Sequence, residues 1–224
     1  FTNKPLETGD LKGNKFIITL RDLTEEDVKK IKSNIEKIKN LGFINYFDSQ
    51  RFGEVLGEEG FIAKHLMREN YELALKLYLS PSDKISPTKK QAHEIIQKNW
   101  GKWKKILGLL RNIESTGNEQ KIIISLEKNN DFLKAFKVIE LKVREILMAS
   151  YQSYLWNRCL SELIKSKITN TKEIEYAAGK LNFPELTKEP YSQLEQIEIP
   201  MIDKNIEFKN QEVNNIMQRI LKKE

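Results

Sequence analysis

Asn45, Tyr46, Phe47, Gln50 and Arg51 crowd into one short segment that shows neither a clean helical nor a clean strand repeat. Amides that both donate and accept, flat aromatic faces and a fixed guanidinium suit the reading of an unstacked nucleotide. The same residues also suit a strand end that packs its rings into a core and sets Arg51 on a surface carboxylate. A second cluster, Lys98, Trp100, Lys102, Trp103, Lys104, Lys105 and Arg111, interleaves cations with tryptophan. It could follow a phosphate backbone, although an amphipathic helix with buried tryptophans and solvated lysines is the simpler account. A third lies in residues 149–157, where Tyr151, Tyr154 and Leu155 share a helical face and should pack in a core. Gln152, Ser153 and Asn157 would then meet buried partners or border a cleft.

Other chemistries lack their residues. His65 and His93 have no cysteine pair and no zinc-like spacing, and are expected to be ordinary helix residues. Cys159 sits between apolar neighbours and reads as a small buried hydrophobe. Gly53, Gly57 and Gly60 are not followed by the Lys-Ser/Thr of a phosphate loop, so neither metal nor nucleotide cofactor is expected.

The elements that must position these groups can be read from the pattern. Residues 15–20 are apolar and partly β-branched, which predicts a strand preceded by a turn at Gly9 and Gly13. Thr24 is an N-cap, with Glu25, Glu26 and Asp27 in the first turn. Val28, Ile31, Ile35 and Ile38 then mark an amphipathic helix that Gly42 closes. Residues 43–53 read as a strand leaving into a functional loop.

From Glu58 onward the chain reads as almost wholly helical. Helices are predicted over 61–68 and 71–79, as one stretch or two, from Pro87 behind the cap Ser86, over 100–111, and from 132 to 166 behind Asn130 or Asp131. Residues 115–118 are a loop, and 121–128 fit either helix or strand. A short helix is predicted from Thr171 to Gly179, mostly loop over 184–208, and a final helix over 211–223. A short α/β part thus gives way near Lys64 to a long helical part.

The composition agrees with a folded, charge-rich protein: 224 residues, 39% hydrophobic and 31% charged. Thirty-eight basic against 32 acidic residues leave +6, which permits a polyanionic partner without demonstrating one. One cysteine argues against a disulfide framework, and no run approaches the roughly 18 apolar residues that cross a bilayer. No secretory leader is visible, so a cytoplasmic setting is expected. The chain opens on Phe1 rather than Met, which suggests processing or a piece of a longer chain.

Three segments together resemble one family, the TruD-type tRNA pseudouridine synthases. Residues 9–21 resemble its Gly-Asn-x-Phe strand segment. Residues 43–53 are similar to its Asn-Tyr-Phe-x-x-Gln-Arg-Phe-Gly signature. Residues 149–157 are similar to its Ala-Tyr-Gln-Ser-Tyr-Leu-Trp-Asn helix, with Ser150 in the Ala-Tyr junction. They occur in the family's order.

The resemblance implies conversion of uridine to pseudouridine in tRNA, at position 13 in many members, with tRNA as partner and no cofactor. It implies an α+β fold: part of a mixed, antiparallel-sheet catalytic domain (residues 1–64) with a largely helical, family-specific inserted domain (65–224). The target uridine is flipped out. An aspartate begins the chemistry at the ribose–base bond, and the base is freed, turned and rejoined through carbon. Asn45 matches the asparagine expected beside the catalytic aspartate and the nucleotide. Phe47 matches the aromatic expected against the target base. Gln50, Arg51 and Phe52 complete the signature, and Arg51 joins Asn45 and Phe47 as a candidate substrate contact. Asp48 stands at a variable position and is not taken for the catalytic acid.

The family's aspartate lies in a Gly-x-Lys-Asp segment before the Gly-Asn-x-Phe strand, so it is expected upstream of Phe1. The basic N-terminal motif is missing too, and the closing strands are expected beyond Glu224. Alone, residues 1–224 are expected to be inactive. Two other readings stay open: a non-catalytic tRNA-binding module that kept the RNA cleft, and a helical protein-interaction piece. Oligomeric state is not legible.

Overall fold

Thr24 starts the first helix by reciprocal capping. Its hydroxyl accepts the Asp27 N–H at 3.2 Å, and its own N–H donates to the Asp27 carboxylate at 3.0 Å. The computed structural model describes residues 12–13, 15–52, 60–114, 116–185, 191–192, 194–203 and 205–224. Helix α1 (Glu25–Leu41) ends at Gly42, whose φ of 78° lets its N–H turn back to the Ile38 carbonyl. The chain divides into two compact units, Phe1–Phe43 and Ile44–Glu224.

In the first unit α1 buries no residue, and its Val28, Ile35 and Ile38 are exposed. The strand predicted over 15–20 does not form among the described residues. Phe16, Ile17 and Ile18 are 77%, 87% and 79% exposed. A strand is defined by hydrogen bonds to a neighbouring strand, and no described segment supplies one. The expected turn at Gly9 lies outside the described residues.

The second unit opens with a 3-10 turn at Ser49–Phe52, where a strand was expected to end. Seven helices follow among the described residues before the chain turns to strand, several with boundaries that differ from the pattern for identifiable reasons. Of the two alternatives over 61–79 the structure takes two helices, α2 (Ile62–Met67) and α3 (Tyr71–Tyr78), because Glu69 takes φ +59° and Asn70 caps α3 by accepting the Leu73 N–H. Ser86 caps α4 (Pro87–Lys98), as read. Gly101 at φ +84° turns the chain into α5 (Trp103–Leu110), which starts later than predicted.

The ambiguous isoleucines at 122–124 lie in α6 (Gly117–Asn129), which takes in part of the predicted 115–118 loop; Ser115 is outside the described residues. Asn130, left-handed at φ 48°, ends α6, and Asp131 caps α7 (Phe132–Lys137). The long helix predicted from 132 is therefore two, α7 and α8 (Leu141–Lys167). Their junction carries β-branched Val138 and Ile139. Ile139 is buried in the core, and its carbonyl is taken by Arg144 Nε at 2.9 Å.

Residues 171–179 correct the sequence reading outright. They are not a helix but one arm and the turn of an antiparallel hairpin, β1 (Thr171–Tyr176) and β2 (Gly179–Pro184), in register from Thr171↔Pro184 to Tyr176↔Gly179. Gly179 takes the positive φ, +128°. Leu181 and Asn182 of β2 are both buried, and the Asn182 N–H and side-chain amide both donate to Ser161 of α8. The described part of 185–208 is mostly loop. Helix α9 (Gln211–Lys223) closes the unit, with Val213, Ile216, Met217 and Ile220 buried. The fold is α+β, largely helical with one two-stranded sheet among the described residues.

Among the described residues the second unit holds two hydrophobic cores. One is formed by α2 to α7 with Leu147 of α8. The other gathers Phe52, Phe61 and the α8 residues Tyr151, Leu155, Cys159 and Leu163 against α9. Helix α8 reaches both.

Candidate functional site

The motif helix and the signature segment, far apart in sequence, are joined by hydrogen bonds. Asn157 is fully buried, and its side chain works as a piece of strand: Oδ1 accepts the Phe47 N–H at 2.9 Å and Nδ2 donates to the Phe47 carbonyl at 2.8 Å. Ser150 Oγ donates to the Arg51 carbonyl at 3.0 Å. Ser153 Oγ donates to the Ala149 carbonyl at 2.7 Å and lies 3.3 Å from Arg51 Nε, which donates to it. Residues 46–52 lack regular secondary structure apart from the 3-10 turn, so their backbone groups need such partners.

The other side of the segment rests on the hairpin. The Tyr46 hydroxyl donates to the Asn182 carbonyl at 2.7 Å, and its ring meets Phe183 edge-on. Ser49 Oγ accepts the Ala177 N–H at 3.2 Å. Phe52, 1% exposed, packs edge-on to Tyr176 and Phe61. Burial pushes the Tyr46 hydroxyl well above its usual value, against the Ser161 hydroxyl and with the Tyr176 phenol. It is thus a neutral structural donor rather than an acid–base group.

The three candidate contacts fall in different settings. Arg51 is exposed and fixed at several points: its carbonyl by Ser150, its Nε by Ser153, and its guanidinium 5.7 Å from the centre of the Phe47 ring. The surface carboxylate expected for it is absent among the described residues. Phe47 is half-buried, clamped through its backbone and packed edge-on to Trp156 at 5.5 Å. Asn45 is exposed, with no side-chain hydrogen bond among the described residues. The structure therefore brings Phe47 and Arg51 together and leaves Asn45 on the open surface beside them. Gln50 and Asp48 are exposed as well.

The polar residues of the motif helix meet buried partners, one of the two roles read from them. Gln152 Nε2 donates to the Ile202 carbonyl at 2.6 Å, and Trp156 Nε1 to the Ile199 carbonyl at 2.7 Å. Helix α8 thus fastens the signature segment on one side and the 199–202 loop on another. Sequence reasoning missed the hairpin's share of this site. The available signal was the apolar alternation Ile174, Tyr176 and Leu181, Phe183 around the Ala-Ala-Gly turn.

The remaining candidates separate cleanly. Trp100 stacks on Phe132 and donates from Nε1 to Glu72 at 2.9 Å, and Trp103 packs edge-on to Trp100, so both tryptophans contribute to the first core as the simpler account had it. Cys159 is fully buried, and burial together with the Glu162 charge pushes its thiol up to about 12, which keeps it protonated and inert. His65 and His93 are buried helix residues. His93 spans the Ser80 carbonyl (Nδ1, 3.0 Å) and the Glu119 carboxylate (Nε2, 3.4 Å).

A family model described as tRNA pseudouridine synthase D (TruD) matches residues 1–224. The "Probable tRNA pseudouridine synthase D 2" of Methanocaldococcus jannaschii is 38% identical over 228 residues, 99% of this chain and 53% of its own length. The tRNA pseudouridine synthase D of Aquifex aeolicus is 29% identical over 224 residues, covering all of this chain and 56% of its own length. A crystal structure named for the same family, from Methanosarcina mazei, superposes with a TM-score of 0.61 at 21% identity, over 89% of this chain and 50% of that one. This last likeness concerns the fold alone. The chain spans about half the length of the curated relatives it matches.

Proposed function

The chain belongs to the TruD family of tRNA pseudouridine synthases, and on that premise we propose that the protein carrying it isomerises uridine to pseudouridine in tRNA. The reaction needs no redox partner. The glycosidic C–N bond breaks, a C–C bond to the same ribose carbon forms, the base carbon releases a proton and the freed nitrogen takes one up. The catalytic aspartate is proposed to come from the family's Gly-x-Lys-Asp segment, outside residues 1–224. On the same reading residues 1–64 belong to the catalytic domain and 65–224 to the family-specific helical domain, and a tRNA substrate places the protein in the cytoplasm.

The observation that carries this reading is Arg51. A guanidinium that is exposed, held by two serines and an aromatic ring, and free of any carboxylate among the described residues is prepared for an external anion or base edge. Phe47 beside it offers the remaining surface of its ring to the flipped uracil, and Asn45 offers a free amide to the nucleotide. The side-chain hydrogen bonds of Tyr46 and Ser49, by contrast, run inward to the hairpin.

The test uses the complete protein and unmodified tRNA transcripts, with pseudouridine counted by nucleoside mass spectrometry. Conversion by the wild type, and loss of most of it in Arg51→Ala at unchanged melting temperature, is the expected result. A wild type that converts no uridine overturns the catalytic reading. If it still binds tRNA in a salt-sensitive way, the non-catalytic tRNA-binding reading takes its place.

A further inference from the structure

Between Glu94 and Glu114 the chain carries five cations, Lys98, Lys102, Lys104, Lys105 and Arg111, and no acid. That stretch alone holds nearly the whole of the protein's formal excess of +6. Packing of the tryptophans accounts for Trp100 and for one side of Trp103. It does not account for the lysines.

An open groove of about 480 Å³ lies at the start of α5, lined by Gly101, Lys102, Trp103, Lys104, Lys105 and Glu127. Its size falls within the roughly 300–1,000 Å³ of clefts that hold small ligands or parts of large ones. The single acid on its wall, Glu127, is engaged by Lys104 at 3.8 Å. Lys98, Lys102, Lys105 and Arg111 are exposed and form no ion pair among the described residues. Trp103 is only half-buried, so part of its indole borders the groove.

We propose that this groove is a second RNA contact, on the helical part of the molecule, which takes a stretch of tRNA backbone on Lys102 and Lys105, which line it, and on Lys98 at the end of the preceding helix, with a base or ribose against Trp103. It rests on the tRNA reading and deepens it. Unpaired cations flanking a half-exposed aromatic favour a polyanion with flat groups, hence RNA over an acidic protein segment. The contact is sequence-tolerant, because lysine reads phosphate as a point charge and every base has a flat face. Its role is to hold the substrate while residues 45–51 address the nucleotide that reacts.

The experiment is tRNA binding by the complete protein across a salt series, comparing wild type with the triple variants Lys98→Ala/Lys102→Ala/Lys105→Ala and Lys98→Arg/Lys102→Arg/Lys105→Arg. Loss of three phosphate contacts should weaken binding by about tenfold or more at low salt and reduce the slope of log affinity against log salt by about 2–3. The arginine variant should keep both. Conversion at limiting tRNA should fall in the alanine variant in step with its affinity. Wild-type affinity and slope in the alanine variant, with normal wild-type binding, overturn this inference and leave the tRNA reading intact. In that case capture of an acidic peptide would assign the groove to protein instead. A wild type that binds no tRNA overturns both.

Discussion

The two cores of the second unit are built on opposite terms. In the core of α2 to α7 the backbone supplies its own hydrogen bonds, since nearly every residue is helical, and the side chains supply aliphatic volume: Leu75, Leu79, Ile96, Ile106, Leu110, Ile123 and Leu126 are fully buried. In the core below the signature segment the ring-rich packing is accompanied by side chains that replace missing backbone partners. Asn157, Ser150 and Ser161 are buried, and all three bond to backbone outside their own helix. The first arrangement tolerates any well-packed apolar set. The second holds an irregular loop in one shape, and so ties the positions of Phe47 and Arg51 to particular polar atoms.

The comparison predicts that damage to the two cores will differ in kind. Leu126→Ala removes a fully buried side chain from the aliphatic core and should destabilise by about 2–5 kcal/mol. Conversion of uridine per folded molecule should stay near wild type. Denaturant unfolding paired with activity at a temperature where the variant is folded would check this. A loss of activity beyond the loss of folded protein would show that the two cores are coupled through α8.

Asn157→Ala should cost about 2–4 kcal/mol, because the N–H and the carbonyl of Phe47 both lose their partner. Here activity should fall together with stability, and should stay low in the fraction that remains folded. Asn157→Asp keeps an acceptor for the N–H and loses the donor to the carbonyl, so it should lie between. If Asn157→Ala left the conversion rate intact, the clamp would be a stability device only.

This contrast also explains what could be read without coordinates. Helices with their own caps were legible: Thr24, Ser86 and Asp131 each begin one, because capping is local. The break between α7 and α8 was not, because neither glycine nor proline marks it and Ile139 is held by the tertiary core. Residues 171–176, with Thr171 in the place of a cap and a charged stretch after it, look like a short helix until β2 pairs with them. Strand 15–20 was predicted from its own composition, yet pairing is a property of two segments. In the site, the types of Asn45, Phe47 and Arg51 suggested contact with a nucleotide, but which polar groups face the scaffold depends on α8 and the hairpin, more than 90 residues away.

A smaller effect would test whether the aliphatic core has a polar point of its own. Burial raises the Glu119 carboxyl, but the hydrogen bond from His93, the Glu119 N–H and the charges of His93 and Lys89 outweigh it and hold the group below its usual value. A carboxyl lowered in the folded state adds stability that is complete above its unfolded value, near 4.5, and is lost as pH falls through the folded one. Melting temperature should therefore fall more steeply on the acid side in wild type than in Glu119→Gln. Parallel pH profiles would remove the pair from the account of that core.

The smallest change in stability should come at Arg51. It is exposed, and the Ser150 bond is to its backbone carbonyl, which Arg51→Ala retains. Lost are the Nε contact to Ser153 and the packing over Phe47, so the change in unfolding free energy should stay within about 0.5 kcal/mol, as for most surface substitutions. If the guanidinium is the site's external contact, tRNA affinity or conversion should nevertheless drop severalfold or more. Arg51→Lys should not restore it, because an ammonium lacks the planar fork that Ser153 and Phe47 orient. Full activity in the lysine variant would mean that only charge matters there, and would make the site's polar clamps a scaffold for position rather than for geometry.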